Sequence, residues 1–313
     1  MFKNYLKTAW RNIKRTKSFS LINILGLCVG MTACLFIMHY IEFEQSYDSF
    51  HKKGDRIYRL RYERESENGS AVRFASCCPP AGALIRERYS QVEKLARIFN
   101  ARANVSFEDK NFFEQKIFYS DPQFFEIFDF EFIAGDPVKS LSHPGIAFVS
   151  QSIAQKYFGD RDPIGLPIHL DKKTDYRIAG VFKDFPANSH IKIDILLPLK
   201  NFEAEAGDSY MLEWGHTGLY TYILLKPGED PAAFEKQLAS LVTEQVPWLK
   251  EYKMNIYLKM QPLKDIHLTS HFMQEYEAGG DKNIVHYLFV IALFILFCSD
   301  KGKYTTFFIF VYT

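Results

Sequence analysis

The chain has 313 residues, with 38 Lys and Arg against 37 Asp and Glu and a formal net charge of +1. That balance provides no basic surface for nucleic acid, and 47% apolar with 16% aromatic residues is the material of a packed core rather than of disorder. Five cysteines in a chain of this length exclude a disulfide scaffold.

Residues 1–18 read as an amphipathic helix. Phe2, Tyr5, Leu6, Ala9, Trp10 and Ile13 recur at helical spacing, and Lys, Arg and Asn fill the other faces. Such a helix lies in the headgroup layer, with Trp10, Lys14, Arg15 and Lys17 as its membrane-interface residues beside anionic lipid. Residues 19–41, FSLINILGLCVGMTACLFIMHYI, then carry no Asp, Glu, Lys or Arg. They make about 34 Å of helix, enough for a hydrocarbon core of about 30 Å, and so predict a transmembrane helix in the lipid bilayer. Six basic residues and no acid precede this span, whereas Glu42, Glu44 and Asp48 follow it. The positive-inside rule therefore puts the N-terminus in the cytoplasm and the following region outside. The run is longer than the apolar region of a cleaved signal peptide. Cys34 is followed by Leu35, Phe36, Ile37 and Met38, where a lipoprotein would turn polar.

Residues 42–283 have the composition of a folded domain large enough for two lobes. Residues 56–62, 146–149, 175–182, 193–197, 219–225 and 255–260 are rich in β-branched and aromatic residues with partial alternation, as in half-buried strands. Ser150 is placed to cap a helix over 151–158, and Asp230-Pro231 opens a helix through AAFEKQLASLVTEQV. Shorter helices are expected over 80–89 and 122–128. Strands and helices mix without a βαβ rhythm, which predicts an α+β domain. Residues 284–298, IVHYLFVIALFILFC, begin like a second transmembrane helix that is incomplete, at about 22 Å. Residues 299–313 form an atypical tail, with Asp300, Lys301 and Lys303 interrupting the apolar run, the expected mark of a truncated or frame-shifted product.

No catalytic, cofactor-binding or metal-binding set emerges. The chain has no G-x-x-x-x-G-K-[ST] phosphate loop and no G-x-S-x-G elbow. His190, His216, His267 and His271 lack paired-ligand spacing, so structural or exposed roles are expected for them. A bridge between adjacent Cys77 and Cys78 would be strained. The triplets Asn68-Gly69-Ser70 and Asn104-Val105-Ser106 match the glycosylation sequon at a frequency near chance.

The opening MFKNYLKTAWRNIKRTKSFSLINILGLCVGMTACLFI resembles the start of MacB/FtsX-like permeases of ABC transporters in their Bacteroidetes form. The resemblance continues through Tyr47-Asp48-Ser49-Phe50-His51 and Asp55-Arg56-Ile57-Tyr58-Arg59. It is strongest in SDPQFFEIFDFEFIAGDP, FVSQSIAQKYFGDRDPIGLPI and YRIAGVFKDFPANSHIKIDILLPL, which are similar to the MacB-like periplasmic core domain. Gly135-Asp136-Pro137, Gly159-Asp160 and Asp162-Pro163-Ile164-Gly165 have the chemistry of turns. Asp184 to His190 reads as a loop whose Asn188 or Ser189 bonds local backbone.

The resemblance implies a non-enzymatic permease subunit in the bacterial inner membrane. Its periplasmic domain would relay the motion of a separate cytoplasmic ABC ATPase to substrate export or release, by mechanotransmission. Implied partners are that ATPase, a second permease copy or half, and a periplasmic or outer-membrane protein; no cofactor is implied. A family member would continue into a coupling loop and two further spans where this chain reads SDKGKYTTFFIFVYT. The alternative is a bacterial transmembrane sensor with a periplasmic ligand-binding domain, which a downstream HAMP or kinase segment would reveal.

Overall fold

The computed structural model describes residues 10–11, 14–66, 69–135, 141–251 and 254–311. The chain divides into two compact units, one of Met1–Ser46 with Gly280–Thr313 and the other of Tyr47–Gly279.

In the first unit a helix of 29 residues runs over Lys17–Gln45. Its segment Ser20–Gln45 is long and apolar enough to cross a membrane. Ile22, Val29, Leu35 and Phe36 are 68–71% exposed, a state that hydrocarbon tolerates and water does not. A second helix covers Lys282–Val311, so the helical backbone continues past Cys298 and through Asp300, Lys301 and Lys303. Its apolar part, Lys282–Phe297, is shorter than a span. Cys34 and Ala292 are buried where the two helices touch, their small side chains bringing the Cys34 Sγ within 3.9 Å of the Ala292 carbonyl.

The second unit is built on eleven strands: β1 (Ile57–Glu65), β2 (Ala71–Phe74), β3 (Val92–Phe107), β4 (Lys110–Ser120), β5 (Phe132–Gly135), β6 (Ile146–Ser150), β7 (Pro167–Leu170), β8 (Thr174–Phe182), β9 (Ile195–Pro198), β10 (Tyr220–Leu225) and β11 (Asn255–Pro262). They form one mixed sheet in the order β11-β1-β10-β3-β4-β9-β6-β8-β5, with β2 beside β1, and β7 beside both β3 and β8. Within it, β11-β1-β10-β3 is antiparallel throughout. The helix Pro79–Arg88 connects β1 and β2 to β3, and the helices Pro231–Leu238 and Leu241–Gln245 connect β10 to β11. This is a ferredoxin-like β-α-β-β-α-β lobe. Everything between Ile98 and Tyr220 is inserted in it as the second lobe, as the two-lobed α+β reading requires.

Each lobe has its own core. In the ferredoxin-like lobe, Ala81, Ile85, Phe234, Leu238, Leu241 and Val242 cover Leu60, Leu95, Ile223 and Leu258. In the inserted lobe, Ile153, Tyr157 and Phe158 cover Val105, Ile117, Val149 and Ile178. A third, aromatic cluster joins the lobes: the run FFEIFDFEF places Phe124 and Phe128 among Phe118, Phe148, Phe182 and Tyr222. All six residues of β10 are therefore buried, not half-buried as its pattern suggests. Tyr220, Tyr222 and Leu224 enter the aromatic cluster, while Ile223 and Leu225 enter the ferredoxin-like core.

The helix predicted after Asp230-Pro231 starts as expected, with the Asp230 carboxylate accepting from the Ala232 amide at 2.9 Å. It breaks at Ala239–Ser240, and a separate helix, Leu241–Gln245, follows, with the Ser240 hydroxyl donating to the Glu244 carboxylate at 2.6 Å. Ser150 caps Gln151–Phe158 by accepting from the Ile153 amide at 3.3 Å. The turn expected at Asp162 to Gly165 forms: the Ile164 amide donates to the Asp162 carboxylate at 3.0 Å, and Gly165 has φ +81°.

Candidate functional site at the two ends of the domain

Chain connectivity makes Tyr47–Gly54 the incoming and Glu275–Gly279 the outgoing segment of the domain, and both are fastened to the same buried side chains. Asp48 is fully buried with φ +56°, a left-handed conformation uncommon for L-residues and one that Asp adopts more readily than most. Its amide donates to the Asn188 carbonyl at 2.9 Å. Its carboxylate Oδ1 accepts from the Ser189 hydroxyl at 3.3 Å and from the His190 amide at 3.2 Å. His190 Nδ1 lies 2.8 Å from Asp48 Oδ2, in contact with it but outside hydrogen-bond geometry.

From His190 the network reaches the outgoing segment. His190 Nε2 and the Tyr222 hydroxyl are 2.9 Å apart, and the Tyr222 and Tyr276 hydroxyls are 2.7 Å apart. Next to them Arg59 of β1 is wholly buried and donates through Nη1 and Nη2 to the two oxygens of Glu275, each at 2.7 Å. Its Nη2 also donates to Gln261 at 2.8 Å and Ser270 at 2.7 Å. The Tyr47 ring stacks on His267 with centroids 3.3 Å apart.

The electrostatics follow from burial. Desolvation works against the Asp48 carboxylate, but the charge and hydrogen bonds of His190 outweigh it and hold the carboxyl below its ordinary range. His51 is buried between Phe50 and Phe128. Burial pushes its imidazole down to about 4 despite the pull of Asp48. The geometry agrees, since His51 Nδ1 accepts from the Asp129 amide at 3.1 Å and so presents a lone pair. A cavity of about 50 Å³ lies between Tyr47, His190, Ser270, Glu275 and Tyr276. It has room for a water or two and falls well short of the roughly 300–1,000 Å³ of a small-molecule pocket.

Trp10, Lys14, Arg15 and Lys17 are all exposed, and the Lys14 ammonium sits 5.6 Å from the centre of the Trp10 ring. Phe2, Tyr5, Leu6, Ala9 and Ile13 lie outside the described residues. Among the four histidines singled out, His190 and His267 are buried, and His216 and His271 are exposed. Among the described residues no group of three or more His, Cys, Asp or Glu is placed to hold a metal. Cys77 and Cys78 are free, buried thiols with their sulfurs 3.9 Å apart. The loop Asp184 to His190 bonds the distant Asp48 rather than only its own backbone. Arg59 sits in β1 among Arg61, Glu63, Arg64 and Glu65, so its charge gave no signal of its own, whereas Tyr222 carries a polar hydroxyl within the wholly buried β10.

Fold and junction together define a membrane-anchored α+β module whose polar core groups are spent on holding its two ends. The sequence profile of the MacB-like periplasmic core domain matches residues 20–241, and the chain belongs to that family, found in MacB-like ABC transporter permeases. Among solved structures it is similar to a domain assigned to a permease protein of Porphyromonas gingivalis. That match has 23% identity, covers 68% of this chain and 91% of the other, and has a TM-score of 0.59. The periplasmic region of MacB from Actinobacillus actinomycetemcomitans matches at 12% identity over 65% of this chain and 90% of its own, with a TM-score of 0.47. The extracellular domain of the noncanonic ABC-type transporter YknZ from Gram-positive bacteria matches at 12% identity over 65% and 99%, with a TM-score of 0.47. No curated protein matches the chain.

Proposed function

We propose that this chain is the N-terminal part of an ABC transporter permease subunit of the bacterial inner membrane, with its N-terminus cytoplasmic and its domain periplasmic. The domain passes the ATP-driven motion of a separate cytoplasmic ATPase to substrate export or release, and does no chemistry itself. Its partners are that ATPase, a second permease copy or half, the lipid bilayer and a periplasmic or outer-membrane protein.

The observation that carries this reading is the shared fastening of the domain's ends. Asp48 and Tyr276 meet the same His190–Tyr222 pair, and Glu275 grips Arg59. A pull on either end acts directly on central strands of the sheet, so the lobe that contains them follows as a body. The junction cavity, at about 50 Å³, is too small to hold a drug-sized ligand.

Capture of the chain from detergent-solubilised native membranes tests the reading. Recovery with a P-loop ATPase subunit supports it; recovery with a histidine kinase and no ATPase supports the sensor instead.

A further inference from the structure

The incoming segment is held by groups that respond to acid in one direction. On the Asp48 side, the Ser189 hydroxyl, the His190 amide and the His190 ring all turn toward a single carboxylate. On the His51 side, the Asp129 amide points at Nδ1, while the Lys52 amide donates to the Asp129 carboxylate at 2.7 Å. From the sheet and the outgoing segment, Tyr222, Tyr276, Arg59 and Glu275 close the cluster.

We propose that this junction is an acid-released latch, in which protonation of His51, joined at still lower pH by Asp48, frees Tyr47–Gly54 from its seat while both lobes stay folded.

A proton on Asp48 removes the charge that the Ser189 hydroxyl and the His190 amide share and that the His190 ring touches. A proton on His51 Nδ1 meets an amide N–H already aimed at that atom, so the ring or its segment must move. The Asp48 carboxylate and that of Asp129, 3.8 Å from Nδ1, favour the new cation, but burial and the charge of His190 outweigh them. Asp48 sits at φ +56°, a region that Asp tolerates but that most of its unbound conformers do not occupy, so losing those bonds lets the segment leave it. The outgoing segment keeps its fork to Arg59, a cation that does not titrate, so release is one-sided. With His51 pushed down to about 4 from an ordinary 6.5, the latch opens as pH falls through that interval. The latch belongs to the junction whether or not the transport reading stands; only its effect on relayed motion rests on that reading.

Hydrogen–deuterium exchange of the full chain in nanodiscs at pH 7.5 and 4.5, corrected for the intrinsic pH dependence of amide exchange, tests the latch. Protection of peptides covering Tyr47–Gly54 should fall at least tenfold at pH 4.5, while peptides from β3 and β10 keep theirs. The variant His51→Phe should move the change to lower pH, and Asp48→Asn should show the open pattern already at pH 7.5. Unchanged protection of Tyr47–Gly54, or equal loss in all peptides, overturns the proposal; so does a His51→Phe chain with the unaltered acid response. The wild-type and His51→Phe measurements decide the matter should Asp48→Asn not fold.

Discussion

Arg59 and Glu275, 216 residues apart in sequence, face each other as a planar fork with two hydrogen bonds of 2.7 Å. The Arg59 side chain is fully buried and that of Glu275 is 15% exposed, so neither charge has free access to water. Removing one partner strands the other. Glu275→Met should therefore cost about 3–5 kcal/mol in denaturant unfolding of the detergent-solubilised chain. The double variant Arg59→Met with Glu275→Met should recover part of that loss, because an apolar pair leaves no buried charge behind.

The Tyr222 hydroxyl bridges His190 and Tyr276. Tyr222→Phe keeps the ring in the aromatic cluster but leaves two buried polar groups without a partner. A loss of about 1–3 kcal/mol is expected in the same unfolding measurement, with no change in slope against denaturant. A neutral result would mean that the hydroxyl chain does not fasten the ends.

The pH dependence has a definite sign. The His51 imidazole is pushed down to about 4 when folded, against 6.5 in the unfolded chain. The unfolded state thus binds the proton first, and stability present above pH 6.5 is lost as pH falls toward 4. Asp48, also held below its ordinary range, adds a loss in the same direction at lower pH. Unfolding free energy followed from pH 7.5 to 4 should decline by roughly 3 kcal/mol through His51 alone, and His51→Phe should flatten that limb.

Gly180 explains part of the YRIAGVF segment. A Cβ there would lie 2.6 Å from Phe148 Cε1 and 2.9 Å from the Ala134 carbonyl. The Phe148 ring cannot yield easily, being wedged against Phe125 and Phe132. Gly180→Ala should destabilise the chain by about 1–3 kcal/mol, read from the thermal midpoint.

The first helix was legible because so long a charge-free run, flanked by cations on one side, has the length and composition of a membrane span. β1, β8, β10 and β11 were legible from alternation. The longest hairpin was not: in β3 the residues Asn100 to Asn104 interrupt the pattern, and the register shifts between Ala101 and Ala103. Its turn is Glu108-Asp109, with Glu108 at φ +52°, and lacks the glycine that marks two-residue hairpin loops. The junction escaped because its parts lie in separate stretches of sequence. Asp48 read as one of the acids after the span and His190 as the end of a loop, and only the fold brings them to 2.8 Å.

The central claim is a two-lobed domain carried outside the cytoplasm on an N-terminal span. Alkaline phosphatase fused after Ser120, at the end of β4, measures it most directly in growing cells. The account predicts full phosphatase activity, with a control truncated before residue 19 showing none. An inactive phosphatase, or a cytoplasmic reporter fluorescing at the same position, would contradict it.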